Sequence, residues 1–185
     1  MLSGRLEDYA DRWPHDRPIE DDRGKWRVAY VKPRNEKALA IDCQQAGVPY
    51  YLPLYVKRKR RNDNNKYRKS VMPLFPGYFP FVDTEDGKSK LQQTNRVVHI
   101  LDINDQEAFV RDLEQIRHAV NSGMAVDAVP YMEEGQKVRV KEGPLQGLCG
   151  IVNRVDANHA RLVITVDALK MAVEVELESE SVEAL

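Results

Sequence analysis

The residues best placed to do chemistry lie between positions 57 and 82. Lys57, Arg58, Lys59, Arg60, Arg61, Lys66, Arg68 and Lys69 are opposed within their span only by Asp63. Just beyond them, PLFPGYFPFV runs from Pro73 to Val82 with three prolines and three phenylalanines. Clustered ammonium and guanidinium groups neutralise phosphates and release counterions, an attraction that depends on salt and ignores base sequence. Stiff aromatic surface offers large apolar area for packing or docking. Taken alone, the basic run is equally a solvated loop, and the apolar run reads first as core and turn. The groups that break bonds are not organised. His15, His99, His118 and His159 are scattered, and Cys43 and Cys149 stand far apart, outside any CxxC or CxxH spacing. No phosphate-binding loop, dinucleotide fingerprint, paired carboxylates or activated nucleophile appears. We therefore expect no enzyme, no cofactor and no metal, with both cysteines as core thiols.

The elements that must carry these residues follow from composition and period. With 42% apolar and 31% charged residues over 185 positions, the chain is a folded protein of one ordinary domain or two small ones. No stretch approaches the roughly 20 apolar residues of a membrane span. The N-terminus carries Glu7, Asp8, Asp11 and Arg12 where a signal peptide has its apolar core, so we expect a cytoplasmic, monomeric protein. Residues 1–24 lack apolar periodicity and read as an acidic, mostly unfolded extension of unreadable role. KWRVAYVKP then alternates as a strand, and Arg34 to Ala46 turns helical, with Gly47 placed for a left-handed cap. VPYYLPLYVKRK reads as a strand broken by Pro49 and Pro53, RRNDNNK as a turn, and Lys69 to Val82 as the returning strand. The basic residues thus occupy both arms and the tip of an extended hairpin. A short helix between Ser89 and Asn95 and a strand at VVHILDI follow. Asn104 with Glu107 forms a capping-box pattern before Phe109, Leu113, Ile116 and Val120 at helical spacing. Together these predict a compact α+β domain over 25–120, helices packed on a largely antiparallel sheet. Residues 121–130 read as a linker. Over 131–185, short alternating strands predict a small β-barrel, with Gly143, Gly147 and Gly150 where tight turns need a residue without Cβ. Its last strand is acidic, Glu174, Glu176, Glu178, Glu180 and Glu183 meeting no base after Lys170.

Two separate segments resemble one family, the NusG and RfaH transcription elongation factors of bacteria. WRVAYVKP at 26–33 with LFPGY at 74–78, preceded by the basic hairpin, looks like that family's N-terminal domain. EGQKVRVKEGPLQGLCGIVNRVD at 134–156 looks like a KOW motif opening an SH3-like barrel. The resemblance implies an N-terminal NusG-like α/β sandwich, then a KOW barrel, and a protein without catalysis that modulates elongation or antitermination. Its N-terminal domain would bind the clamp helices of the largest RNA polymerase subunit through Tyr30, Tyr78 and Pro80, rimmed by Phe75. Pro80 departs from the family, standing where a larger apolar residue is usual, and its missing N–H requires an edge or unpaired position. Phe79 and Phe81, facing the other way, are expected in the core. The basic hairpin would lie near nucleic acid in the elongation complex. The KOW domain would recruit Rho or a small-subunit ribosomal protein through Leu169 and Met171. Ala168, Leu169 and Met171 depart from the larger aliphatic, aromatic and basic residues of the general factor, which favours a specialised paralogue. The alternative is an RNA- or ribosome-binding KOW protein that works through the hairpin without touching polymerase.

Overall fold

In a computed structural model, residues 10–60, 67–84, 86–124, 126–129, 135–155, 159–178 and 181–185 are described. The chain divides into two compact units, residues 1–103 and 104–185.

The first unit is a mixed α/β layer. Five strands, Arg12–Trp13 (β1), Lys25–Val31 (β2), Tyr50–Tyr51 (β3), Tyr78–Asp83 (β6) and Val97–Asp102 (β7), form a sheet ordered β1-β3-β6-β2-β7. All of its pairs are antiparallel. Between β3 and β6 the chain leaves as a separate two-stranded ribbon, Leu54–Arg60 (β4) and Tyr67–Pro73 (β5). Helices Glu36–Ala46 (α1) and Gly87–Gln93 (α2) complete the unit. The core gathers Ala29 and Val31 of β2, Phe79 and Phe81 of β6, Leu39, Ala40 and Cys43 of α1, and Leu91 of α2. Alternation dictates this, because Phe79 and Phe81 share one face of their strand and α1 presents apolar groups at helical spacing. Gly47 closes α1 in the left-handed conformation, as the sequence predicts. Burial drives the Cys43 thiol up to about 12, so it is inert core.

Residues 10–24 are not the unfolded extension that their composition suggests. β1 pairs with β3, Leu52 N–H donates to Asp11 C=O at 2.6 Å, and Tyr50 Oη donates to Ala10 C=O at 2.9 Å. Arg12, 3% exposed, donates to Asp22 Oδ2 at 2.9 Å and to Pro18 C=O at 2.8 Å. Arg17 donates to the other Asp22 oxygen at 2.8 Å. Ile19 is fully buried. A buried ion pair and an added sheet edge order this segment, and neither leaves an apolar period to read.

The second unit starts at Asn104, within the span 25–120 that the sequence reads as one domain. Helix Gln106–Asn121 (α3) clusters with the C-terminal strands. Its N-cap is Asp105 rather than Asn104, the Asp105 carboxylate accepting from Ala108 N–H at 2.9 Å. The strands are Val126–Val129 (β8), Gln136–Val140 (β9), Cys149–Val155 (β10), His159–Val166 (β11), Met171–Glu178 (β12) and Val182–Ala184 (β13). They form one antiparallel six-stranded sheet ordered β13-β9-β10-β11-β12-β8. β8 falls inside the segment expected as linker; it pairs with β12, Val126 opposite Val175 and Val129 opposite Ala172. Side chains of α3 at positions 112, 115 and 118 bond backbone groups in this sheet's connections and at the start of β10. Gln115 Oε1 accepts from Cys149 N–H at 3.0 Å, His118 Nε2 meets Pro144 C=O at 2.8 Å, and Asp112 accepts from Asp167 N–H at 3.3 Å. Cys149 is half-buried rather than a core thiol. No described helix is long and apolar enough to cross a membrane.

Two outcomes follow for stability. Replacing Asp22 with Ala strands Arg12 in the interior and should cost about 3–5 kcal/mol in urea unfolding, whereas an unmoved midpoint would show that the segment adds nothing. Desolvation by burial raises the Asp112 carboxyl from 3.8 to about 6, outweighing the hydrogen bond from Asp167 N–H, which acts the other way. The folded state therefore holds that proton more tightly than the unfolded chain, and stability falls as pH rises from about 4 to about 6. Asp112→Asn keeps an acceptor for Asp167 N–H and should flatten that slope. At neutral pH it should gain on the order of 1 kcal/mol after solvent screening. A slope as steep as that of the wild type would refute the assignment.

Candidate functional site

The PLFPGYFPFV segment is a buried strand entered through a pinned turn. Leu74 and Phe75 are buried, and Gly77 turns the chain with φ +86°. Gly77 N–H donates to Glu36 Oε1 at 2.9 Å, and its C=O accepts from Val31 N–H at 2.8 Å. Glu36 is itself buried at the first turn of α1, where the helix dipole favours a negative charge. The turn therefore locks β6 to both α1 and β2, and sets Tyr78 opposite Tyr30.

That register builds an aromatic row on the face opposite Phe79 and Phe81. Tyr30 pairs with Tyr78 of β6 on one side and with His99 of β7 on the other. The Tyr30 and Tyr78 rings meet edge to face, centroids 5.6 Å apart and planes at 74°. His99 stacks on Tyr30 at 5.1 Å and 29°. Tyr30 is 39% exposed, Tyr78 half-buried and His99 exposed. A Cβ on Gly77 would lie 3.3 Å from the Tyr30 ring, so the ring sits directly against that turn.

Sequence reasoning thus pairs Tyr30 with Tyr78, and the structure brings them together. It does not bring Phe75 to a rim, since Phe75 is 1% exposed. Pro80 is buried too, in an interior strand opposite Val28. Its lost donor is tolerated: Val82 N–H points toward the β3 side, to Pro49 C=O, and strand alternation turns position 80 the same way. On that side the ladder is confined to Tyr50 opposite Phe81. His99 escaped the sequence reading because cross-strand register, which alone makes it a neighbour of Tyr30, is not written in the local pattern.

In the ribbon, Arg58 lies opposite Lys69 and Lys59 opposite Arg68, with Lys57 opposite Ser70 and Arg60 opposite Tyr67. Arg61 and Lys66 lie outside the described residues. Near the ribbon's base, Val56 and Met72 are exposed, and Lys37 Nζ of α1 donates to Val71 C=O at 2.7 Å. In the second unit, Gly143 and Gly147 both turn with φ +85° between β9 and β10. Gly150 lies within β10, where a Cβ would stand 2.5 Å from Val163 C=O. Leu169 is 5% exposed inside a short 3-10 turn, Asp167–Leu169, and Met171 beside it is half-buried. Among the described residues no His, Cys, Asp and Glu cluster could hold a metal ion.

A family model described as transcription termination factor NusG matches residues 24–119, from the start of β2 through α3. The transcription termination/antitermination protein NusG of Borreliella burgdorferi is 22% identical over 182 residues, covering 86% of this chain and 98% of that protein. Its namesake in Pseudomonas aeruginosa is 30% identical over 126 residues, 65% of this chain and 71% of that one. A solved structure of Thermotoga maritima NusG, reported for its domain interaction, shares the fold with TM-score 0.50 at 16% identity. It covers 87% of this chain and 97% of its own.

Gly77→Ala forces a side chain into a left-handed turn and against the Tyr30 ring. It should cost about 1–3 kcal/mol in denaturant unfolding and broaden the Tyr30 resonances. Wild-type stability with an unshifted Tyr30 would show that the turn does not seat that ring.

Proposed function

The chain belongs to the NusG family, and from that premise we propose that it is a transcription termination/antitermination factor. It acts without catalysis, by joining RNA polymerase to a further partner. The observation that carries the reading is the row of Tyr30 and Tyr78 across two paired strands. Tyrosine suits a reversible docking face because its ring buries apolar area while its hydroxyl stays wet. At about 25 cal/mol per Å², a patch of a few hundred Å² supplies several kcal/mol before ordering costs are subtracted. The surface assigned to this row is that of the clamp helices of the polymerase's largest subunit. Phe75 and Pro80, being buried, are assigned to the interior rather than the contact.

The remaining assignments rest on the family resemblance with support from register and burial. The β4–β5 ribbon, whose facing positions carry like charges, is the element that lies near nucleic acid in the elongation complex. The six-stranded sheet is read as a KOW-type SH3-like barrel, supported by its antiparallel order and by the glycine turn between β9 and β10. Met171 is its partner-facing residue, for Rho or a small-subunit ribosomal protein, while buried Leu169 supports the turn beside it. The changed residues around Leu169 favour a specialised paralogue over the general factor.

With the cognate polymerase, saturating protein should reduce pausing or raise terminator read-through, and unchanged elongation would overturn the proposal. In gel shifts on a reconstituted elongation complex, Tyr30→Asp combined with Tyr78→Asp should abolish binding. If free RNA displaced wild type and double mutant alike, the protein would be an RNA-binding module instead.

A further inference from the structure

Resting on the docking reading above, the geometry points to His99 as a positioning residue of that face: its imidazole stacks on Tyr30 and holds the ring in its docking orientation. A tyrosine left 39% exposed on one strand would otherwise lose rotamer freedom each time a partner docked. Here the ring is bounded on three sides before any partner arrives. Tyr78 stands edge-on at 5.6 Å, the Gly77 turn lies against it, and His99 covers it at 5.1 Å with planes 29° apart.

The backbone is built to deliver His99 to this place. β2 and β7 pair regularly from Arg27 opposite Asp102 to Tyr30 opposite His99, and then the register slips so that Val31 faces Val97. Val98 is the extra residue, 57% exposed. A bulge of this kind bends its strand and re-aims the adjoining side chains. The chain immediately after Tyr30 is tied to both neighbours as well: Val31 N–H bonds Gly77 C=O at 2.8 Å, and Lys32 N–H bonds Arg96 C=O at 2.9 Å. Arg96 is in turn held by Asp42 at 2.7 Å and by Asn35 at 2.8 Å, which ties the start of β7 to α1. The end of β2 is thus clamped between both neighbouring strands at the one position where its side chain is an exposed aromatic. Since what His99 supplies is a flat ring in van der Waals contact, a phenyl ring can replace it and a methyl group cannot.

Two measurements on the full-length protein test this. In the free protein, the Tyr30 ring protons should carry a ring-current shift that disappears in His99→Ala and returns in His99→Phe; shifts equal in wild type and His99→Ala would overturn the stacking itself. On a reconstituted elongation complex, His99→Ala should weaken affinity about five-fold, a loss in keeping with one ring pair. His99→Phe should bind within about two-fold of wild type, and Tyr30→Ala should lose at least about ten-fold. If Tyr30→Ala weakens binding while His99→Ala does not, or if His99→Phe is as weak as His99→Ala, the positioning role is wrong and the docking face stands. If Tyr30→Ala binds like wild type, the docking reading itself fails.

Discussion

The first unit depends on one backbone position, Gly77, where three elements are joined by two hydrogen bonds. Its N–H is taken by the Glu36 carboxylate at the start of α1, and its C=O by Val31 N–H at the end of β2. Both are buried or half-buried polar contacts whose loss would leave groups unsatisfied in the interior. Because the first bond is to a charge, it is of the stronger kind. The turn they fix decides which residue of β6 faces which residue of β2. A slip of one position would exchange Phe79 and Phe81 with Tyr78 and Pro80, placing phenylalanine on the aromatic row and tyrosine in the core. Helix placement, core and candidate site are therefore consequences of a single register.

How much of this is legible in the sequence follows the range of the forces involved. Local alternation shows β2 and β6, and helical spacing with a glycine stop shows α1 and Gly47. Phe109, Leu113 and Ile116 mark α3 by the same rule, and all three are buried. What the sequence hides is what distant parts supply. Residues 10–24 are ordered by Arg12 reaching Asp22 and by β1 meeting β3, contacts with no periodic trace. β8 is a four-residue strand whose reason to exist is the edge of β12. Asn104 and Asp105 are both good caps, and only geometry chooses between them. Within the site, Tyr30 and Tyr78 follow from motif position. The burial of Phe75 and Pro80 and the arrival of His99 depend on neighbours that no local window contains.

The two units distribute charge in contrasting ways. In the ribbon, register places Arg58 opposite Lys69 and Lys59 opposite Arg68, with Val56 opposite Val71 near the base. In the second unit, Arg161 lies opposite Glu176 and pairs with Glu174 at 3.3 Å and Glu176 at 3.8 Å. There the sheet settles its own charges across strands.

The bulge at Val98 has a further consequence at the rim of the sheet. An open β-edge is a template on which another chain can add strands and start aggregation, and a long flat apolar edge is the worst case. The first sheet ends on one side in β1, only two residues long, and on the other in β7. β7 carries branched side chains suited to such growth, with Val98 exposed. The irregularity that aims His99 also breaks the even spacing of donors and acceptors that a foreign strand would need. The same single extra residue thus sets His99 beside Tyr30 and makes the adjoining edge a poorer template for another strand.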